Sequence, residues 1–424
     1  MIKITNTEIT PFGGIHLVHQ QVKAKKFPQL IADELGKRTP NATYSYSDLI
    51  LSRCYTTFCG GDCAEDTGYM KDTFHHLKKL KVPSPDTILR METELSTPAV
   101  ELASEGGSKN KLNINEGLNR LLVKTALHLN VLNTGNEDYC LDFDHQFIPT
   151  EKYDAAHSYK MQRGYFPAVA SIDNTPVYIE NRNGNSQVKF NQLDTLQRTF
   201  ALLGENGLNP ARCRMDCGSY IKEVCDWLEK EGTKFYIRAE QSEKLLFEAS
   251  LSEEWSKCTI GVNDYETCSI EHKFGKHTHR VVCYRWPNKT GQTSVITADA
   301  NCYLFIITND REWDEKTIIG FYNQRGDSER LFDIQNNDFN WKKMPYSFLE
   351  QNTVYLNIMA ICHVLYKWLI DMFSKACTFL QAHHRLKKFT FRLICIAAKV
   401  IRTGRRQVVK LFTNLPINLA GLSP

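Results

Sequence analysis

The sequence predicts an α/β protein on a mixed sheet, preceded by a helical region, interrupted by a β-rich insertion and closed by a basic helical tail. Short strand-like runs begin near residue 136 and alternate with amphipathic helical stretches to about 244. From about 245 to 312 the texture turns all-β. From Met372 onward there are ten Lys and Arg and no Asp or Glu, against 42 basic and 48 acidic residues in the rest. The net charge of +4 is therefore concentrated in a tail, which points to a polyanion partner for that segment. At 424 residues, 42% hydrophobic and 24% charged, the chain can bury several cores. The predicted division is 1–135 helical, 136–244 first part of the core, 245–312 insertion, 313–375 second part of the core, and 376–424 tail.

In chain order, Thr43 to Phe58 and Thr67 to Leu80 have helical periodicity. Pro83 and Pro85 then break the chain and Asp86 can cap a helix over Thr87 to Leu95, a layout compatible with a helix-turn-helix DNA reader. Ser104 to Lys111 reads as a polar surface loop and Asn115 to Asn130 as another helix. Strands follow at Tyr139–Asp144, FPAVASID and TPVYIENRNG, the last two joined by a turn at Asp173-Asn174. A helix at Leu193–Leu203, a strand at Arg212–Cys217, a helix at Tyr220–Glu231 and a strand at Thr233–Ala239 complete the first half. The insertion offers strands in KCTIGV, YETCSIEHKF, HRVVCYRW, QTSVITADA and CYLFIITND. A polar helix from Ile318 to Phe339 and an apolar helix around Val354 to Phe373 come last before the tail.

The 14 cysteines contain no Cys-x-x-Cys pair; the nearest groupings are Cys54, Cys59, Cys63 and Cys213, Cys217, Cys225, read as free thiols. Met1 to Gly14 has no export signal, so a reducing, cytoplasmic setting is expected. Tyr355 to Phe373 is interrupted by Asn357, His363, Lys367 and Asp371, which predicts a buried helix and no membrane span.

The chemistry lies where strands end. In an open α/β sheet, functional groups gather beyond the carboxyl ends of the strands. Asp144 and Asp216 each close a predicted strand, and Asp142 shares the face of Asp144. Drawn as one helix, Ile318 to Phe339 places Tyr322, Arg325, Glu329 and Asn336 within about 60° of one another. Two strand-end aspartates and a helix glutamate can hold two divalent cations, and hard oxygen ligands suit Mg²⁺ or Mn²⁺. Such a pair activates a water or 3′-hydroxyl for in-line attack on a phosphodiester and stabilises the leaving oxygen.

The order Asp, Asp, β-rich insertion, then Tyr-x-x-Arg-x-x-x-Glu resembles DDE transposases of bacterial insertion sequences, the cut-and-paste group with a Tyr-Arg-Glu-Lys helix signature. The resemblance runs from about 136 to the tail. It implies an RNase H-like catalytic core, a helical N-terminal domain that binds transposon ends, double-stranded DNA as partner and a homodimer on DNA. It implies metal-ligand roles for Asp144, Asp216 and Glu329, with Asp142 as the alternative first acid, and phosphate-side roles for Tyr322 and Arg325. Asn336 stands where the signature lysine is expected, with Lys342 and Lys343 downstream. Relatives with a hairpin intermediate stack a flipped base on an aromatic ring; Trp286 is the candidate and Trp255 a poorer one.

On a helical wheel Lys388, Arg392, Lys399, Arg402, Arg406 and Lys410 fall within about 80°, a face for phosphates on DNA, with a membrane-surface helix as the other option. LDFDH also resembles the Asp-x-Asp motif of haloacid-dehalogenase-type phosphatases, with Asp142 as nucleophile. Against that reading, Asp327 of the imitated later motif lies about 160° from Glu329 on the wheel. A DNA-binding relative without catalysis is the other alternative.

Overall fold

Alternating β-branched and aromatic residues build most of the strands, and eleven of them join in one sheet. The computed structural model describes residues 2–3, 9–39, 41–103, 107, 109–136, 138–158, 161–294, 296–404 and 406–422. The strands are β1 (Val100–Ala103), β2 (Lys109–Ile114), β3 (Cys140–His145), β4 (Ala168–Ile172), β5 (Thr175–Arg182), β6 (Arg212–Met215), β7 (Lys234–Arg238), β8 (Ser256–Ile260), β9 (Asn263–Phe274), β10 (His277–Pro287) and β11 (Asn301–Thr308). Their spatial order is β1-β2-β5-β4-β3-β6-β7-β11-β10-β9-β8. Only β3, β6 and β7 run parallel to one another; all other neighbours are antiparallel. The β4–β5 turn has φ of 49° at Asp173 and 55° at Asn174, the left-handed pair of a two-residue hairpin.

The helices of eight residues or more are α1 (Gly14–Ala24), α2 (Phe27–Leu35), α3 (Tyr46–Phe58), α4 (Pro85–Glu94), α5 (Glu116–His128), α6 (Gln192–Glu205), α7 (Lys222–Lys230), α8 (Glu243–Ser250), α9 (Glu315–Asn323), α10 (Asp327–Asn337) and α11 (Leu349–Ala376). Ser45 caps α3 in a reciprocal box with Asp48, and Asn115 caps α5. Every residue of β5 is buried, because helices cover both of its faces. One apolar cluster runs from Ile15 of α1 through β3 to β7 and on to Leu422, so residues 1–135 pack into the same core as the sheet. A smaller cluster lies under α9, formed by Tyr236, Val282, Tyr284, Ile306, Ile318, Ile319 and Tyr322.

The 28-residue α11 is the apolar helix the sequence predicted. It is long and apolar enough to cross a membrane, yet 89% of its most apolar window is buried within the protein. Several of its polar groups are matched internally. Asn352 bonds Tyr346 through both its carbonyl and its amide, and Gln335 donates to His363 Nδ1 at 3.1 Å.

Three expectations are corrected. The tail is not an amphipathic helix. It forms a short helix (Leu386–Phe389), a π turn (Thr390–Ile394) and a hairpin of β12 (Ala397–Thr403) with β13 (Arg406–Phe412). Val400, Ile401, Val408 and Val409 favour strand, and Gly404 turns the chain at φ 59°. The β-rich insertion extends the main sheet, since β11 pairs with β7. Within it, Gln292–Ala300 is irregular: Asp299 gathers Thr297, Asn301 and Tyr303 as local hydrogen-bond donors instead of joining a ladder. The Ile318–Phe339 helix breaks at a 3₁₀ turn, Gln324–Gly326. There Arg214 Nη1 donates to the Phe321 carbonyl at 2.8 Å, and the Gln324 N–H closes on that same carbonyl, which tightens the turn.

Candidate active site

The parallel strands place the two predicted aspartates side by side. Asp142, Arg214 and Tyr236 are register partners across β3, β6 and β7, and Tyr236 packs on Phe321 of α9 at 4.9 Å. The next pairs are Phe143 with Met215 and Met215 with Ile237. One residue further, Asp144, Asp216 and Arg238 lie level at three adjacent strand ends, on the face that α9 covers.

Each acid is positioned locally. Asp144 Oδ1 accepts the His145 N–H at 2.8 Å, and its Oδ2 accepts Arg325 Nη1 at 2.9 Å. Asp216 caps the turn after β6, its Oδ1 accepting the Gly218 N–H at 3.0 Å. Gly218 is required there, because a Cβ would collide with Val188. Burial, reinforced by the charge of Asp216, pushes the Asp144 carboxyl up to about 6 against the opposing pull of Arg325. Burial likewise raises the Tyr322 hydroxyl to about 12, with Arg325 as its charged neighbour. Asp144, Asp216, Tyr322 and Arg325 thus share one electrostatic environment.

Asp142 is engaged elsewhere. It is buried, and Arg214 Nε and Nη2 each donate to one of its oxygens at 2.7 Å. Glu329 lies beyond the broken turn and is exposed on α10. Asn336 is buried with its Oδ1 unpaired, apart from the hydrogen bonds of the acids. Among the described residues, the one set of three His, Cys, Asp or Glu side chains whose ligand atoms lie within 4.8 Å is Asp62, Cys63 and Asp66. There one Asp66 oxygen accepts the Asp62 and Cys63 N–H groups and Asp62 pairs with Lys343.

Trp286 packs edge-on to Tyr265 at 5.8 Å, in the cluster that reaches Tyr322 through Tyr284. Trp255 is covered by the Arg285 guanidinium at 4.0 Å. In the tail, Lys388 is exposed and Arg392 bonds the Phe379 carbonyl. Lys399 and Lys410 are cross-strand partners on one face of the hairpin, and Arg402 lies on the other, so no single stripe exists. The side chains of Arg406 and Asp327 lie outside the described residues. On α4 the exposed residues include Asp86, Arg90 and Glu94, while buried Glu92 is held by Arg53 at 2.6 and 3.0 Å. That mixed surface lacks the positive balance of a phosphate-tracking helix.

Sequence reading missed Arg238. It is exposed, and its charge acts on Tyr322, Tyr284 and Cys217. The available signal was its place at the end of TKFYIRA, the strand that follows the Asp216 strand and helix.

No curated protein matches the chain. A solved structure described as the cryo-EM structure of piggyBac transposase synaptic complex with hairpin DNA is similar at 12% identity and a TM-score of 0.41, covering 89% of this chain and 78% of that one. The model of a family described as transposase DDE domain group 1 matches residues 2–420, and the chain belongs to that family.

Proposed function

We propose that this chain is a cut-and-paste DNA transposase that binds terminal inverted repeats and cleaves and joins strands at the Asp144–Asp216 strand ends. One observation carries the reading. Two carboxylates end adjacent parallel strands, burial and proximity push one of them up to about 6, and Arg325 and Tyr322 face them. Crowded hard-oxygen donors of this kind fit Mg²⁺ or Mn²⁺, whose charge would relieve their repulsion. Asp144, Asp216 and Glu329 would hold two such ions, which when bound supply activation of the attacking oxygen and stabilisation of the leaving one.

The protein's own part is positioning. Arg325 shifts from Asp144 to a phosphate oxygen when DNA enters, and Tyr322 fixes the guanidinium by packing and hydrogen bonding. Arg238 neutralises the strand flanking the cleaved bond. Glu329 joins the aspartates as α10 pivots about Gln324–Gly326. Trp286 offers a ring edge for an unstacked base. Lys388, Lys399, Arg402, Arg406 and Lys410 add phosphate contacts, while Arg392 holds the tail in place. A homodimer on DNA, in the bacterial cytoplasm, completes the proposal. The phosphatase alternative needs Asp142 free as a nucleophile, and Arg214 occupies both of its oxygens.

The test is strand nicking of duplex DNA ending in the element's terminal repeats, with Mg²⁺. Glu329→Gln is expected to keep binding and lose nicking. Wild type and variant that both bind, with neither nicking, would leave a DNA-binding protein and end the catalytic reading.

A further inference from the structure

The hairpin β12–β13 is seated on the N-terminal helices. The backbones of Thr10 and Ala398 pair at 2.9 Å in both directions, and Gly13 N–H donates to the Ile396 carbonyl at 2.6 Å. Gln407 Nε2 donates to the His76 carbonyl at 2.9 Å, and His19 Nε2 lies 2.9 Å from the Lys78 carbonyl. The segment from Phe74 to Leu80 is therefore clamped between α1 and the hairpin, and beside it opens a groove of about 780 Å³.

Cations surround this groove. Lys23 and Lys78 line it, and Lys79 adjoins them. Arg402 is the register partner of Gln407, so it stands on the hairpin face that meets His76. Lys78, Lys79 and Arg402 are exposed and Lys23 is half-buried. Among the described residues none of the four is ion-paired to a carboxylate. Burial, and then the charges of Lys79 and Lys78, lower the Lys23 ammonium. Asp72 is the acid nearest along the segment, and it faces the neighbouring cavity with His75 and His76. Its apolar lining includes half-buried Leu17, Val409 and Leu411, and Leu419, which is exposed.

We propose that this groove is a second DNA-contacting surface, in which Lys23, Lys78, Lys79 and Arg402 grip the phosphate backbone away from the Asp144–Asp216 strand ends. Four cations around a concave surface, without a carboxylate partner among the described residues, repel one another, and a polyanion removes that repulsion. A lipid surface needs several apolar side chains projecting together, and of the described apolar residues lining the groove only Leu419 is exposed. The inference rests on the reading of the chain as a protein that acts on DNA.

The experiment is fluorescence anisotropy with a labelled random-sequence duplex between about 50 and 200 mM KCl, comparing wild type with Lys23→Gln/Lys78→Gln/Lys79→Gln/Arg402→Gln. Each lost phosphate contact removes about 0.9 from the slope of log affinity against log salt, so a fall of about 3 to 4 is expected. Equal thermal midpoints establish that the variant is folded; if replacing half-buried Lys23 unfolds it, the remaining triple variant is used, with an expected fall of about 3. A fall of less than about 2 for either variant overturns the proposal while leaving the catalytic reading standing. Binding of phosphatidylserine vesicles that the substitutions abolish, with DNA binding unchanged, also overturns it. A wild-type protein that binds no DNA at all defeats the proposed function itself.

Discussion

Removing the Asp142 carboxylate tests whether the aspartate pair in Leu-Asp-Phe-Asp is divided between structure and chemistry. Asp142 and Arg214 side chains are 6% and 9% exposed, and two 2.7 Å bonds join them. Asp142→Ala takes from a guanidinium in low dielectric the carboxylate that both its bonds engage, a change that costs about 3–5 kcal/mol for a buried pair. Arg214 keeps two neutral acceptors in the turn, the Phe321 carbonyl at 2.8 Å and Gln324 Oε1 at 3.3 Å. Asp142→Leu with Arg214→Met restores most of that loss, because an apolar pair of similar volume avoids desolvating two charges. Urea denaturation followed by tryptophan fluorescence measures both variants. If Asp142→Ala costs under about 1 kcal/mol while strand cleavage disappears, the structural role is wrong and Asp142 is the first catalytic acid.

Asp144→Asn acts in the opposite direction in the ion-free protein. Its folded carboxyl titrates near 6 against 3.8 for the free group, so the stability its protonation lends is full below pH 3.8 and lost as pH rises through 6. At neutral pH the variant is expected to gain up to about 3 kcal/mol and to lose the stabilisation that Mn²⁺ gives the wild type, both read by thermal melts. Gly14→Ala is expected to cost about 1–3 kcal/mol and to speed proteolysis of the tail, since a Cβ there meets the Leu393 carbonyl. Acid should weaken the fold through His363, which burial, with Lys367 adding to it, lowers to about 3. The neutral ring is the stabilising form, so stability is full above pH 6.5 and falls on acidification toward 3, by about 1.4 kcal/mol per pH unit; His363→Gln should flatten that limb in pH-dependent denaturation.

Much of the core was legible because local signals agreed with the final packing. Alternating runs ending in Asp144 and Asp216 became neighbouring strand ends, and Asp173-Asn174 turned where its residue types predicted. The apolar run in α11 was readable as buried because each interrupting polar group implied a partner, such as Gln335 for His363. What failed depended on distant residues. The polar stripe required an unbroken helix, but Arg214, more than 100 residues earlier, captures the Phe321 carbonyl and breaks it. The tail was misread because the wheel counted cations and ignored Gly404 between two β-branched runs. Arg238 escaped notice because a strand-end cation gains meaning only once its register beside Asp216 is known.

The location of the bound ion tests the central claim most directly. Fe²⁺ substituted for Mg²⁺, with ascorbate and peroxide, cuts the polypeptide beside the site that holds it. Cuts are expected next to Asp144 and Asp216 in the protein alone, joined by a cut at Glu329 once terminal-repeat DNA is added. Cleavage confined to the Asp62–Asp66 turn, with the two strand ends intact, would contradict the account.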